Sequence, residues 1–282
     1  MTFGVEMVKD LVVSGGTTGM GAALARHYLA AGARVTVVGR NPERGRRFLE
    51  EAASMGAGER AHAIRADLTS VAENRRVISE IRERHDSLDA LVLSAMVPFQ
   101  RRVETPDGYE GAFSLYYVSR FLLSYGLTDL LEKGDNPAIV SIGGTGMTKG
   151  RLHWDDLALR NGWGILRATL QGGRANDLLG VGYPLNHPDG RTRFVLVHPG
   201  YTNSGLNGVP QPTKALMAVM GALFARSVSR SIVPIIRLID EPSDQRLIAW
   251  DRTTPVDLGL RTLDPDDARR LFDLTRHLVA ED

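Results

Sequence analysis

Gly15, Gly19 and Gly21 sit at G-x-x-x-G-x-G spacing in VVSGGTTGMGAALARHYLAAG, between an apolar run and a helical pattern. Glycine lets backbone come close to a pyrophosphate. A helix opening near Gly19 aims its free N–H groups and positive dipole end at the same place. The chemistry this predicts is dinucleotide binding in the turn after the first strand. The next apolar run ends VTVVGRN, with Arg40 and Asn41 at its close. An acidic residue there would accept hydrogen bonds from ribose hydroxyls, as NAD-selecting folds require. Arg40 instead suits a 2′-phosphate through bidentate, charge-assisted contact, so NADP(H) is expected in preference to NAD(H).

Other chemistries are poorly supplied. The chain has no cysteine, which removes disulfides, a thiolate nucleophile and cysteine-based metal sites. No His/Asp/Glu cluster has metal-ligand spacing, so no metal is expected, and there is no serine-based nucleophile elbow. His153 and the Asp155–Asp156 pair lie in one loop. His153 reads as a surface histidine or as a group titrating near neutral pH; Asp156 reads as a loop anchor.

The elements that must position these residues alternate in the way a parallel sheet with crossover helices requires. Strands are predicted at Leu11–Val13, Arg34–Gly39, Ala61–Ala66, Ala90–Leu93, Ala138–Ile142 and Arg193–His198. Most lack polar alternation, as strands covered on both faces do. Helices are predicted over Gly19–Ala31, Pro42–Met55, Ser70–Arg84, Asp107–Leu131 and Gly164–Leu179, with Gly32 as the C-cap of the first. After Pro199 the pattern loosens into HPGYTNSGLNGVPQP and an apolar helix carrying Met217 and Met220, read as core or pocket. The expected architecture is an α/β Rossmann-type doubly wound parallel sheet with helices on both faces. It forms a single domain over residues 1–282 with a small irregular C-terminal lobe, in which residues 201–245 cover substrate.

Composition sets the outer bounds. With 282 residues, 43% hydrophobic and 24% charged, the chain is ordinary for a globular protein that buries a large core. A net charge of +1 offers no field for nucleic acid or an anionic membrane, so neither is expected as a partner. Only Lys9, Lys133, Lys149 and Lys214 are lysines among 34 basic residues, a bias a GC-rich genome explains. The start MTFGVEMVKDLVVSGG lacks a basic segment followed by a long apolar run, so a signal peptide is not expected there, and runs such as ALMAVMGALFA are too short to span a bilayer. A cytoplasmic protein is expected.

Several segments, in order over about residues 8 to 250, resemble the short-chain dehydrogenase/reductase superfamily, nearest its retinol-dehydrogenase-like branch. SGGTTGMG is similar to the family's T-G-x-x-x-G-x-G, which places Ser14, Gly15, Thr17, Thr18, Gly19, Met20 and Gly21 at the cofactor. ADLTS resembles the D-L after the third strand, putting Asp67 and Leu68 at the adenine. LDALVLSAM occupies the N-N-A-G strand, with Ser94 and Ala95 at the cofactor and Met96 where the family has glycine. HPGYTNSGL resembles the P-G loop, Pro199 and Gly200, beside the nicotinamide. GRLHWDDLALRNG and LRATLQGGRANDLL are similar to the branch's f-D-D-L and A-Y-x-Q-S-K-x-A-N segments.

The resemblance implies a catalytic tetrad of Asn, Ser, Tyr and Lys, with Tyr and Lys four apart on one helix face. Carried across, the Asn position is Tyr116, the Ser position Gly144, the Tyr position Thr169 and the Lys position Gly173. All four depart from the family. Tyr116, Thr145, Thr169, Tyr201 and His153 remain as polar groups that could act instead. Tyr116 shares a helix face with Phe113 and Phe121 and also reads as core. Arg174, turned about 100° from the Lys position, does not replace it. Two classes of function stay open. One is an enzyme acting on a small, fairly apolar molecule, either by reduction without the Tyr/Lys pair or by non-redox cyclisation, isomerisation or dehydration. The other is a catalytically silent NADP(H) sensor, scaffold or partner of an active relative. A homodimer or homotetramer is expected.

Overall fold

Strand β1 (Asp10–Ser14) is buried along its whole length, and so is the middle of β2 (Arg34–Gly39), because Leu and Val, with the small Thr36, fill both faces. The computed structural model describes residues 9–143, 150–200 and 228–280. The other strands are β3 (Ala61–Arg65), β4 (Ala90–Leu93), β5 (Ala138–Ile142), β6 (Arg193–His198), β7 (Leu247–Asp251) and β8 (Thr254–Pro255). Their order is β3-β2-β1-β4-β5-β6-β7-β8, parallel as far as β7 and antiparallel at β8. Order reverses at β1, which pairs with both β2 and β4; open α/β sheets bind ligands at the carboxyl end of such a switch point.

Helices cover both faces. On one side lie α1 (Gly19–Ala30), α2 (Pro42–Ser54) and α8 (Val228–Asp240), sharing a core with Leu11, Val13, Val195 and Val197. On the other lie α3 (Val71–Arg84), the run α4 (Gly111–Phe113) to α5 (Ser119–Gly126), the short α6 (Thr128–Leu131), α7 (Ile165–Asn186) and α9 (Pro265–Leu278). These pack on Val12, Leu91, Ile139, Phe194 and Leu196. The caps follow the chemistry of exposed N–H groups. Asn41 accepts from Arg44 N–H ahead of Pro42, Ser70 from Glu73 N–H, and Asp264 from Asp266 and Asp267 N–H.

Three expectations need correction. The helix expected over Asp107–Leu131 starts at Gly111, where the buried Glu110 carboxylate accepts from Phe113 N–H, and a π-helical turn at Ser114–Val118 interrupts it. The helix expected to end at Leu179 continues to Asn186. Gly180 and Gly182 are not terminators there: a Cβ on Gly180 would lie 2.8 Å from Leu196 Cδ1, so its glycine serves helix-to-sheet contact. The C-terminal lobe is not irregular in its described part. Strand β7 extends the parallel sheet, and α8 packs on α1 through Ile232, Ile235 and Ile239, with Tyr28 Oη donating to Asp240. Of the 201–245 stretch, 201–227 lie outside the described residues.

Candidate functional site

The carboxyl ends of β1, β2, β4, β5 and β6 open into one cleft of about 830 Å³, within the range of ligand sites, roughly 300–1,000 Å³. Its first wall is the glycine turn. Gly15 has φ +74°, and a Cβ there would stand 2.6 Å from Ala95 N. A Cβ on Gly21 would strike Ser94 Oγ, which itself donates to Ser14 O at 2.7 Å. These contacts leave no room for side chains and draw the backbone up to the cleft. Thr18 caps α1 without a side-chain hydrogen bond, and the first turn has no acidic residue, so the helix's N–H groups face the cleft with no internal anion.

Of the residues expected at a dinucleotide, Gly15, Thr17, Thr18, Gly19, Met20, Gly21, Arg40, Asn41, Asp67, Leu68, Ser94, Ala95, Pro199 and Gly200 line this cleft. Ser14 does not. It is 1% exposed, beneath the turn, and contributes its carbonyl to Ser94. Arg40 is mostly exposed and 3.9 Å from Asp67; Arg44, one helical turn on, lines the same wall and was not anticipated. The Asp67 carboxylate is held by Thr69 N–H and Oγ at 3.1 and 2.8 Å. Together the turn, the open helix end and the two arginines fit a dinucleotide phosphate backbone with an added phosphate.

The opposite end of the cleft is walled by Met96, Val97, Pro98, Leu115, Ile142, Gly143, Thr169 and His198. Met96 is half exposed, an apolar side chain in the space expected for a glycine. Thr169 on α7 is exposed to this space, and one turn along the same helix a Cβ on Gly173 would meet nothing within 4 Å. The helix has room where the family's lysine would stand.

Tyr116 is placed otherwise. It is 4% exposed, does not line the cleft, donates through its hydroxyl to Val97 O, and lies against Gly172. Burial pushes its phenol up to about 12, which keeps it protonated. Nor does it share the face of Phe113 and Phe121. The π turn gives that place to Tyr117, whose ring centroid is 5.2 Å from Phe113 and 6.1 Å from Phe121. His153 also stands off the cleft, held by the Arg167 guanidinium at 3.0 Å. Burial and then the Arg167 charge lower its pKa. The Asp156 carboxylate accepts from Arg160 and Asn161 N–H at 2.8 and 2.9 Å and so anchors its own loop. Arg174 pairs with Asp177 and donates to Gly150 O and Thr262 O, away from the lysine's role. Gly144, Thr145 and Tyr201 lie outside the described residues.

Two arrangements were not anticipated. Arg120, one turn beyond Tyr116, is buried behind Gly143. It donates to Ser141 Oγ at 2.7 Å, Asn176 Oδ1 at 3.2 Å and Ile142 O at 2.9 Å. Burial pulls it down to about 10, still far above neutral pH, so a cation stands behind this wall with no carboxylate paired to it among the described residues. His198, in the cleft, holds Asp251 at 2.8 Å through Nδ1. The histidine stood in the quoted H-P-G segment; its partner lies on β7, a strand that short apolar periodicity did not disclose.

A family model for short chain dehydrogenases matches residues 9–155. The Streptomyces protein DnrU, described only as a candidate daunorubicin C-13 ketoreductase, is 28% identical over 84% of this chain and 80% of its own length. Human polyprenol dehydrogenase is 26% identical over 52% of this chain and 46% of its length. Among solved structures, an uncharacterised Mycobacterium paratuberculosis protein superposes with TM-score 0.70, at 22% identity, over 96% of this chain and 93% of that one. NADPH-bound carbonyl reductase from chicken fatty liver gives 0.65, at 17% identity, over 89% and 98%. These structural likenesses establish the Rossmann-type fold.

Proposed function

The chain belongs to the short-chain dehydrogenase family, and from that premise we propose that it is an NADP(H)-dependent oxidoreductase for a small, fairly apolar carbonyl or alcohol, working without the family's Tyr/Lys pair. The observation that carries this reading is the continuity of the cleft. One space runs from the glycine turn and Arg40 to an apolar end at Met96, Val97, Pro98 and Leu115. When bound, the dinucleotide supplies or accepts a hydride. The chain's own residues do the rest: the turn and α1 hold the pyrophosphate, Arg40 and Arg44 hold the 2′-phosphate, and the apolar wall excludes water from the reacting carbonyl. Positioning alone supplies much of the rate in such a transfer, and acid–base help adds typically about 10²–10⁴-fold. The NADPH-bound state of the chicken carbonyl reductase supports the cofactor. DnrU's description supports a carbonyl substrate.

Titration of the purified protein with NADPH and NADH, read by nicotinamide fluorescence, tests it. Micromolar binding with NADPH preferred is expected; no binding at millimolar cofactor overturns it. A silent NADP(H) sensor is the second reading, favoured by Thr169 and Gly173 in place of the proton-relay pair. Tight NADPH binding without turnover of any ketone or alcohol selects it.

A further inference from the structure

A reductase of this family without its tyrosine needs another way to deliver a proton to the substrate oxygen. Among the described residues that line the cleft, the histidine is the group suited to that work. His198 ends β6, immediately before Pro199 and Gly200, and faces the same space as Thr169. Along β6, Phe194 and Leu196 face the α7 side of the sheet while Val195 and Val197 face the α1 side. Strand alternation therefore turns His198 toward α7. Gly180 of α7 abuts Leu196. Two residues up the strand is roughly 6.6 Å, and four residues back along the antiparallel helix is roughly 6 Å. His198 thus comes level with Asn176, one turn below the open space at Gly173.

The imidazole is oriented. Register pairs His198 with Asp251 on β7, and Nδ1 meets the carboxylate at 2.8 Å, so Nε2 is the end left for the cleft. The next residue adds an independent sign of function. Arg252 opens the two-residue turn between β7 and β8 at φ +59°, where glycine or asparagine is the ordinary choice. Its N–H donates to His198 O at 2.7 Å, and its side chain lies over Gly200, Nε being 3.1 Å from where a Cβ would stand. Strained backbone persists where the surroundings hold it, and such residues cluster at functional sites. Among the described residues, Asp251 and Arg252 stand by His198 on the β7 side, and Arg120 lies behind Gly143 on the β5 side. On α7, Asn176 and Gly173 are uncharged, and Arg174 is turned to Asp177.

We propose that His198, oriented by Asp251, is the acid–base residue of this cleft, exchanging a proton with the substrate oxygen through Nε2. The proposal rests on the oxidoreductase reading above. In reduction, the carbonyl carbon gains a hydrogen and two electrons from the reduced nicotinamide dinucleotide. The C=O π bond breaks, and the oxygen takes the Nε2 proton from the imidazolium; solvent at the cleft mouth returns that proton. Oxidation reverses each transfer. Asp251 holds the Nδ1 proton and stabilises the imidazolium without taking the proton itself, the division of labour that an Asp–His pair performs in acyl transfer.

The test uses the full chain, NADPH, and phenanthrenequinone as a flat apolar carbonyl probe suited to the Met96–Leu115 wall. His198→Gln is expected to lower kcat by about 10²-fold or more while leaving the NADPH Kd within twofold. Imidazole added to His198→Ala restores part of the rate. Nitrogen-15 NMR of the neutral ring shows the Nδ1–H tautomer, which Asp251→Asn disturbs, and the Nε2 resonance moves on adding NADP⁺. If wild type reduces the quinone and His198→Gln matches it, or imidazole rescues nothing, the proposal is overturned while the oxidoreductase reading stands. NADPH binding with no reduction of the quinone, or an Nε2 resonance indifferent to cofactor, overturns it as well. Failure of wild type to bind NADPH at all is the different result that removes the parent reading.

Discussion

Arg40 is where a single side chain decides between two cofactors. Its guanidinium is mostly in solvent and only 3.9 Å from Asp67, a weak pairing that a 2′-phosphate would displace. A phosphate held by Arg40 and Arg44 gains charge-assisted hydrogen bonds, whereas an adenosine ribose with free hydroxyls gains from an acceptor. Arg40→Glu is therefore expected to weaken NADPH by about 10–100-fold, from lost hydrogen bonds to charged groups worth roughly 1.5–3 kcal/mol. NADH affinity is expected to hold or rise. Paired fluorescence titrations check this, and equal loss for both cofactors would assign Arg40 to a general phosphate role. The residue scale also explains what a reader of sequence can see here. The glycine turn and Arg40 are local: each states its chemistry within a few positions. His198 and Asp251 do not, because their contact spans 53 positions and exists only through the β6–β7 register.

At the scale of elements, α7 makes a paired prediction from its own glycines. Gly173 opens on empty space, whereas Gly180 presses on Leu196. Glycine inside a helix costs about 0.5–1 kcal/mol against alanine. Gly173→Ala should thus stabilise the protein by about that amount, while Gly180→Ala loses it again in moving Leu196; denaturant melts separate the two. The junction of β1, β2 and α3 makes another. Asp10 accepts from His85 Nδ1 at 2.9 Å and from Arg34, and His85 Nε2 meets Thr36 at 2.8 Å. Burial pulls the Asp10 carboxyl up, but the hydrogen bonds from His85 and Arg34 outweigh it and leave it below its ordinary 3.8. A folded value below the unfolded one means stability fully present above about pH 4 and lost as pH falls through the folded value. Wild type should lose Tm more steeply than Asp10→Asn on acidification below pH 4, and parallel slopes would show that the pair carries no such linkage. The six strands from β1 to β6 are legible because short runs rich in Val, Leu, Ile and Ala alternate with helical patterns; β3, AHAIR, is the least apolar of them and is placed by that alternation. The π turn at Ser114–Val118 and β7 are not: one depends on an interruption of a continuous apolar helix pattern, the other is five residues ending in Trp250 and Asp251.

For the whole molecule, the C-terminal helix governs which faces remain for association. The resemblance to the family led to an expected homodimer or homotetramer. In this chain α9 lies across α5 and α7. Phe272 packs on Phe121 and Tyr125 at 5.7 and 5.1 Å, and the Tyr117 hydroxyl reaches Thr275 at 2.7 Å inside the core. Tyr109 Oη donates to Leu278 O at 2.7 Å, and the Arg75 guanidinium reaches Val279 O, which closes the far end. A second copy would have to displace this helix to use the α5–α7 face, so a homo-oligomer that keeps the helix in place is expected to form elsewhere on the surface. Leu271, fully buried, anchors the strap, and Leu271→Ala is expected to cost about 2–5 kcal/mol as a cavity. Ending the chain at Leu263 should expose a contiguous aromatic surface of the kind that drives self-association. Light scattering at matched concentration should then report a larger assembly for the truncated chain than for the full one. Equal masses would mean that α9 guards no interface and that its packing serves stability alone.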